Sequence, residues 1–164
     1  MEETETTTPV DFYDFDFHPD VMEGIEAMGF GQPTPIQAKT IPYSLDGRDL
    51  IGRAQTGTGK TAAYLLPVMH HILNRKDRSS VSALILSPTR ELAMQIDQAA
   101  TGFCYFSNLS SKAVYGGGDA NSFEFEKKAL SLGADIIIAT PGRLIAHLNM
   151  GYVKFQNLKY LVLD

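Results

Sequence analysis

The sequence predicts an α/β domain built on a parallel β-sheet with helices on both faces. Strand-like and helix-like segments alternate five times between about residue 20 and the end of the chain. The predicted strands are continuous apolar runs, which is typical of strands that are buried on both faces of a sheet. The length of 164 residues fits one hydrophobic core.

The predicted helices combine apolar residues at helical spacing with start and stop signals. They cover residues 21–28, 36–45, 61–73, 89–106, 121–132 and 141–149. Gly29 ends the first helix, and the turn signal Asp46-Gly47 ends the second. Pro67 lies inside the third, so we expect a kink or an early end there.

The predicted strands are short apolar segments, each bounded by a turn or followed by a helix. They cover residues 49–51, 81–86, 112–115, 135–139 and 160–163. Because the carboxyl ends of parallel strands lie at one edge of the sheet, the segments that follow the strands meet there. This edge is where open α/β sheets bind their ligands.

The charge is concentrated at the N-terminus. Seven of the 19 acidic residues lie within residues 1–20, which contain no Lys or Arg, so the net charge of −5 belongs to this part of the chain. We expect residues 1–11 to form a flexible acidic tail. The remaining residues, 21–164, carry 14 basic and 12 acidic side chains, a balance that neither favours nor excludes a nucleic acid as partner.

The cysteine count and the N-terminus indicate a compartment. Cys104 is the only cysteine, which excludes an internal disulfide and favours a reducing environment. No apolar run approaches the roughly 18 residues of a membrane span, and the start of the chain is acidic rather than basic and then apolar. We therefore expect a cytoplasmic protein without a membrane partner.

A glycine-rich segment joins the predicted strand 49–51 to the next helix. It reads Ala54-Gln55-Thr56-Gly57-Thr58-Gly59-Lys60-Thr61. Glycines allow backbone N–H groups to approach an anion, and a helix directs its free N–H groups and positive dipole end at it. Lys60 can contact the β- and γ-phosphates of a nucleotide, and the Thr61 hydroxyl can bind Mg²⁺. The segment predicts a phosphate loop; the other interpretation is a Gly/Thr-rich turn with a surface lysine.

A second cluster lies upstream, at residues 29–37. Two prolines fix an extended loop before a helix, and Gln37 lies one turn into that helix. A glutamine amide can donate to and accept from the N6/N7 edge of adenine, and Phe12, 17 residues before Gly29, can stack on the base. Taken alone, the cluster fits better with a capped helix, a surface Gln37 and a core Phe12.

Three more motifs each follow a predicted strand. They are Pro88-Thr89-Arg90-Glu91-Leu92-Ala93, Gly116-Gly117 and Thr140-Pro141-Gly142-Arg143. With them, the sequence from Phe12 onward resembles the first RecA-like domain of the DEAD-box ATP-dependent RNA helicases. In that family, residues 29–37 correspond to the adenine-sensing Q motif and Ala54–Thr61 to the phosphate loop, where Ala at the first position is usual. The three later motifs correspond to motif Ia, the paired glycines and motif Ib.

The resemblance implies a RecA-like P-loop NTPase fold, with ATP and Mg²⁺ as cofactors and RNA as a partner. It implies that the nucleotide is bound by the phosphate loop, residues 54–61, together with Phe12, Phe30, Gln32 and Gln37.

The later motifs have features suited to gripping a nucleic-acid backbone. Threonine hydroxyls at helix N-termini can bind a phosphate, glycines permit close approach of the RNA backbone to the protein backbone, and arginines add positive charge. Since none of these groups reads a base edge, we expect sequence-independent contact with single-stranded RNA, favoured by its 2′-hydroxyls. For Arg90, an ion pair with Glu91 or another carboxylate is an equally open interpretation. The residues expected to face RNA are Pro88, Thr89, Arg90, Gly116, Gly117, Thr140, Pro141, Gly142 and Arg143.

The last residues, 160–164, resemble the strand and first acidic residue of the Asp-Glu-Ala-Asp motif, in which Asp164 would hold Mg²⁺ through water. We therefore expect residues 12–164 to form a partial domain, incomplete at its C-terminus. The family's catalytic Glu, its Ser-Ala-Thr motif and its second RecA-like domain do not occur in this sequence. The chain alone is thus expected not to hydrolyse ATP.

The absent Ser-Ala-Thr strand also has a structural consequence. The resemblance places it between the phosphate-loop strand and the last strand. We therefore expect either a rearranged or marginal fold, or a last strand that slides into the free position.

Two other functions remain open at this point. One is a different P-loop NTPase, such as a DNA helicase or a transport ATPase, which equal binding of GTP and ATP would favour. The other is an ATP-gated RNA clamp that does not unwind, which slow turnover with stable, ATP-dependent RNA retention would favour.

Overall fold

The structure is a computed structural model that describes residues 11–78, 80–117 and 120–164. The predicted tail lies outside the described residues except for Asp11, whose carboxylate caps a short 3₁₀ helix at Phe12–Phe15. The helices that follow are α1 Pro19–Ala27, α2 Pro35–Leu45, α3 Lys60–Leu73, α4 Arg90–Cys104, α5 Ala120–Leu132 and α6 Pro141–Leu148. The strands are β1 Ala83–Leu86, β2 Ser111–Val114, β3 Ile136–Ala139 and β4 Tyr160–Leu163.

The four strands form one parallel sheet in the order β2-β3-β1-β4. Leu84 in the central strand β1 is in register with Ile137 of β3 on one side and Leu161 of β4 on the other. Each connection between strands includes a helix, as parallel strands require. The predicted α/β class with a parallel sheet is confirmed.

Helices cover both faces of the sheet, because successive side chains of each strand point to opposite sides. On one face, Ile85 and Ile138 join the larger core cluster, which includes residues of α1, α3 and α4. On the other face, Leu84 and Ile137 pack in a second cluster with Leu130 of α5 and with α6. The sheet is therefore a buried layer between two helical layers.

The predicted strand at 49–51 is wrong. These residues have no regular structure, and the Ile51 side chain is fully exposed. A strand requires backbone partners, and β4 forms the edge of the sheet, bonded only to β1 in the described chain. A groove of about 650 Å³, also lined by α2 and α3, lies between residues 47–52 and β4. The last strand has not slid towards residues 49–51, since it pairs with β1 over all four of its residues.

Helix α3 passes through Pro67 without the early end that the proline suggested. Proline removes one helical hydrogen bond and crowds the preceding turn. Here the surrounding residues Leu65, Leu66 and Met69 are completely buried, so packing of α3 offsets the lost bond. Among the described residues, no helix is both long and apolar enough to cross a bilayer.

Candidate functional site

The carboxyl ends of all four strands lie at one edge of the sheet, as the parallel arrangement requires. At this edge, β1 leads into residues 87–90, β2 into 115–117 and β3 into Thr140 and α6. Strand β4 leads into Asp164. Three of the motifs singled out in the sequence thus begin on neighbouring strands of one sheet.

The glycine-rich loop has the backbone that the sequence predicts. Gly57 and Gly59 have φ angles of 81° and 88°, in the left-handed region that favours glycine. Gly59 is the N-cap of α3, and its carbonyl accepts the first helical bond from the N–H of Ala63. The N–H groups of the first helical turn have no acceptor within the helix, so they are available to an anion.

Lys60 folds back over this loop. Its Nζ donates to the carbonyl oxygen of Ala54 at 2.9 Å, and the Thr58 hydroxyl donates to the carbonyl of Gln55 at 2.6 Å. The loop is thereby closed around a cationic group and a helix N-terminus. This donor set suits a nucleotide triphosphate, for which Lys60 would exchange a neutral carbonyl for a charged oxygen.

Gln37 connects the upstream cluster to the loop. Its Oε1 accepts from the N–H of Thr34 at 2.9 Å, and its Nε2 donates to the carbonyl of Gly59 at 3.1 Å. The side chain is only 1% exposed, so the expectation of a surface glutamine is wrong. The predicted contact between Gln37 and adenine stays a prediction; the observed contact is with the backbone of the phosphate loop.

The aromatic residues near this cluster are packed inward. Phe12 is 1% exposed and contacts Phe30 edge-on at 6.2 Å, while Phe30 in turn contacts Phe103 at 5.2 Å. Phe12 is therefore a core residue, and stacking of its ring on a base would require the ring to leave the core. Phe30 keeps part of its surface exposed, and Gln32 is exposed next to it.

Tyr64 lies between the two residues predicted to hold Mg²⁺. Its hydroxyl donates to Asp164 Oδ2 at 2.8 Å, and Thr61 precedes it by one turn of α3. Burial and the adjacent Asp164 charge raise the pKa of Tyr64, so the phenol stays protonated and acts as a donor. A hydroxyl and a carboxylate are the hard oxygen ligands that Mg²⁺ prefers, so the residues fit this ion.

Arg90 links the N-terminus of α4 to the paired-glycine loop. Its Nη1 donates to the carbonyl of Gly117 at 3.4 Å, and its guanidinium lies 5.1 Å above the centre of the Tyr115 ring. An ion pair between Arg90 and Glu91 is not formed in the described part of the chain, and pairing with another carboxylate stays a prediction. Thr89 caps α4 through a bond to the N–H of Leu92.

In the last motif, the two functional side chains point in different directions. Thr140 is the N-cap of α6, but its hydroxyl forms no cap bond and is free to accept or donate elsewhere. Arg143 turns inward, and its Nε donates to Glu126 Oε2 at 2.6 Å. The predicted direct contact of Arg143 with RNA is therefore not available in this conformation.

The remaining predicted residues are at the surface. Pro88, Gly116, Pro141 and Gly142 are exposed, and all lie at the carboxyl edge of the sheet.

Two groups of functional residues were missed from the sequence. Tyr64 lies three residues after Thr61 on α3, a spacing that places the two side chains on one helical face. Glu126 pairs with Arg143 across 17 residues, and no local pattern marks it.

Comparison with known proteins gives consistent matches. The family model for DEAD/DEAH box helicases matches residues 34–164. The chain is 42% identical to the ATP-dependent RNA helicase CshA of Listeria monocytogenes over 93% of this chain and 28% of that protein. It is 50% identical to the ATP-dependent RNA helicase RhlB of Xanthomonas oryzae over 84% of this chain and 24% of that protein.

The human ATP-dependent RNA helicase DDX42 is 44% identical over 93% of this chain and 16% of its own length. The chain thus spans between about a sixth and just over a quarter of the length of these curated relatives.

Proposed function

The chain belongs to the DEAD/DEAH box helicase family, and we propose that it supplies nucleotide-binding and RNA-binding surfaces of an ATP-dependent RNA helicase. The observation that carries the proposal is the joined unit of Gln37, Gly59 and Lys60. It combines a buried amide, a left-handed glycine and a lysine at the N-terminus of one helix.

We propose that the triphosphate of ATP lies on the loop formed by residues 54–61. The N–H groups at the start of α3 would face the phosphates, and Lys60 would neutralise charge on the β- and γ-phosphates. Thr61 and Asp164 would hold Mg²⁺, which supplies charge neutralisation when bound. Gln37 supports this site by fixing the carbonyl of Gly59, and it retains one amide N–H beyond its two observed bonds.

RNA would lie along the carboxyl edge of strands β1, β2 and β3. The Thr140 hydroxyl, the exposed Gly116 backbone and the N-termini of α4 and α6 are groups that bind phosphate and sugar rather than base edges. Arg90 adds positive charge at the centre of this edge while it contacts Gly117. This arrangement favours binding that is independent of sequence.

A nucleotide titration tests the proposal. Lys60→Ala is expected to weaken binding of a fluorescent ATP analogue by about tenfold or more, because one charged contact to phosphate is lost. Lys39→Ala is the matched control, since Lys39 is an exposed lysine on the neighbouring helix α2. The Lys39→Ala variant should bind the ATP analogue as tightly as the parent does. Equal affinities in parent and Lys60→Ala would refute the phosphate site. Equal competition by GTP and ATP would refute the adenine preference.

We further propose that these 164 residues bind nucleotide without hydrolysing it. Phosphoryl transfer requires a positioned water and several charge-stabilising groups around the γ-phosphate. The resemblance assigns these tasks to a water-activating Glu and an arginine finger, and it matches neither to a residue among these 164. A steady-state ATPase assay with RNA should give no turnover above background, and turnover comparable to an intact family member would contradict the proposal.

A further inference from the structure

A buried polar cluster joins the loop after β2 to helix α6. Its centre is Glu126 on α5, which is 4% exposed and accepts three hydrogen bonds. Glu126 Oε1 accepts from the N–H of Tyr115 at 3.2 Å. Glu126 Oε2 accepts from Arg143 Nε at 2.6 Å and from His147 Nε2 at 2.9 Å. The carboxylate thus accepts from three groups in two segments of the chain, the loop after β2 and helix α6.

His147 extends the cluster away from the carboxylate. Its ring is completely buried and stacks on Phe123 with a centroid distance of 4.2 Å. Because a carboxylate only accepts hydrogen bonds, Nε2 must carry a proton, and in the neutral ring Nδ1 then accepts from the Tyr152 hydroxyl. The bonds form a directed chain from Tyr152 through His147 to Glu126.

Arg143 is committed to the interior by this cluster. Its guanidinium lies 4.6 Å from the centre of the Phe123 ring, and its Nη2 is buried without a hydrogen-bond acceptor among the described residues. The Arg143 side chain is 18% exposed and that of Glu126 5%, and the hydration that such a pair loses offsets much of its attraction. The geometry it fixes is the relation between two predicted RNA-binding segments.

The contact points of Glu126 lie on two neighbouring parts of the proposed RNA surface, after β2 and after β3. Tyr115 directly precedes Gly116-Gly117, and Arg143 is in the first turn of α6, after Thr140. His147 anchors the last turn of the same helix. The carboxylate therefore ties the paired-glycine loop to α6, in addition to the backbone bond from the Thr140 N–H to the Val114 carbonyl at 3.0 Å.

We propose that Glu126, oriented by His147 and Tyr152, is a positioning residue for RNA binding, and that Arg143 acts through it rather than by contacting RNA. The inference rests on the proposed function of this edge as an RNA-binding surface. In this proposal, the polar cluster beneath the surface matches the protein to the spacing of phosphates along the RNA backbone. Two segments held at a fixed separation bind successive phosphates without a further ordering cost.

The test compares two substitutions on α5 that each remove one negative charge. Glu126→Gln removes the central acceptor, whereas Glu124→Gln changes an exposed residue two positions away. RNA affinity is measured by fluorescence anisotropy with a labelled single-stranded oligouridylate. We expect Glu126→Gln to weaken binding by about tenfold and Glu124→Gln to change it less than about twofold. Affinity for the ATP analogue should be unchanged in both variants.

The opposite interpretation makes a prediction of opposite sign. If Arg143 contacted RNA directly, Glu126→Gln would release its charge and strengthen RNA binding. Stronger or unchanged binding by a folded Glu126→Gln variant would overturn the proposal. If this variant does not fold, Arg143→Lys decides, because it keeps the positive charge but loses the Nε donor that Glu126 accepts. Weaker RNA binding by Arg143→Lys supports the proposal, and unchanged binding overturns it.

Amide hydrogen exchange separates this inference from the proposed function. Without RNA, Glu126→Gln should accelerate exchange at residues 115–117 and 140–143, while Glu124→Gln should not. If the parent binds no RNA at all, the proposed function fails, and the exchange data still test the link between the segments. Unchanged exchange at both segments would overturn the positioning role.

Discussion

Gly59 is the position where the phosphate loop meets the buried amide of Gln37, and substitution there tests how the loop is held. A Cβ at Gly59 would lie 2.4 Å from Gln37 Nε2 and 3.1 Å from Thr34 Oγ1. The φ angle of 88° adds a cost of about 1–2 kcal/mol for a residue with a side chain. Displacing Gln37 would break its bond to the Gly59 carbonyl and leave buried polar atoms unpaired, which costs about 1–3 kcal/mol.

Gly57 offers a matched control for this substitution. Its φ angle is 81°, but a Cβ there meets nothing within 4 Å. Gly57→Ala should therefore lower the free energy of unfolding by about 1–2 kcal/mol from backbone strain alone. Gly59→Ala should lower it by about 2–5 kcal/mol, the sum of strain and lost hydrogen bonding.

Urea denaturation followed by circular dichroism measures both variants. The comparison uses the midpoint at constant m-value, so that a change in the unfolded state is not mistaken for a change in stability. If Gly59→Ala were no less stable than Gly57→Ala, the contact between Gln37 and the loop would have no energetic weight. The account of how α2 supports the phosphate loop would then be refuted.

Three further predictions concern other parts of the domain. Gln37→Ala should lower the free energy of unfolding by about 1–3 kcal/mol in the same urea assay, because the Thr34 N–H loses its acceptor and the Gly59 carbonyl keeps only its helical bond; an unchanged midpoint would contradict this. Burial raises the pKa of the Cys104 thiol from 9.0 to about 12. The unfolded chain therefore loses this proton first, and stability should fall as the pH rises from about 9 towards 12. A Cys104→Ala variant should show a smaller fall over this range, and an identical pH profile would contradict the assignment. Leu161 is 58% exposed on the edge strand β4. Leu161→Lys should reduce any self-association measured by sedimentation velocity and change the free energy of unfolding by no more than about 0.5 kcal/mol. Unchanged self-association would show that the edge of β4 does not mediate it.

Much of the fold could be predicted because its signals are local. Helix α2 begins at Pro35 and ends next to Asp46-Gly47, and the start and stop signals sit at those points in the sequence. Strands β1 and β3 lie within the predicted apolar runs, since a strand covered on both faces needs apolar residues at every position. The backbone of the glycine-rich loop was predictable for the same reason, as Gly57 and Gly59 have the left-handed conformation that the motif requires.

The parts that could not be predicted depend on contacts between distant residues. Arg143 looked like a free charge at a helix start, and only the fold brings Glu126 to it from another helix. His147 likewise reaches Glu126 across 21 residues of chain. Sequence periodicity reports which face of a helix is buried, but it does not report which buried partner a polar side chain meets.

The segment 49–51 is a second case in which local sequence does not reveal a contact with a distant partner, and it lies just before the glycine-rich loop. Its apolar residues have the local character of a strand, yet they remain unpaired, because no neighbouring strand stands between them and β4. The phosphate loop is consequently supported from the other side, by Gln37 of α2 and by the bond from Lys60 to Ala54. A strand added beside β4 would give residues 49–51 a backbone partner and would fix the start of the loop. Ordering of that start before nucleotide arrives removes an entropic cost of binding, so completion of the sheet should raise nucleotide affinity.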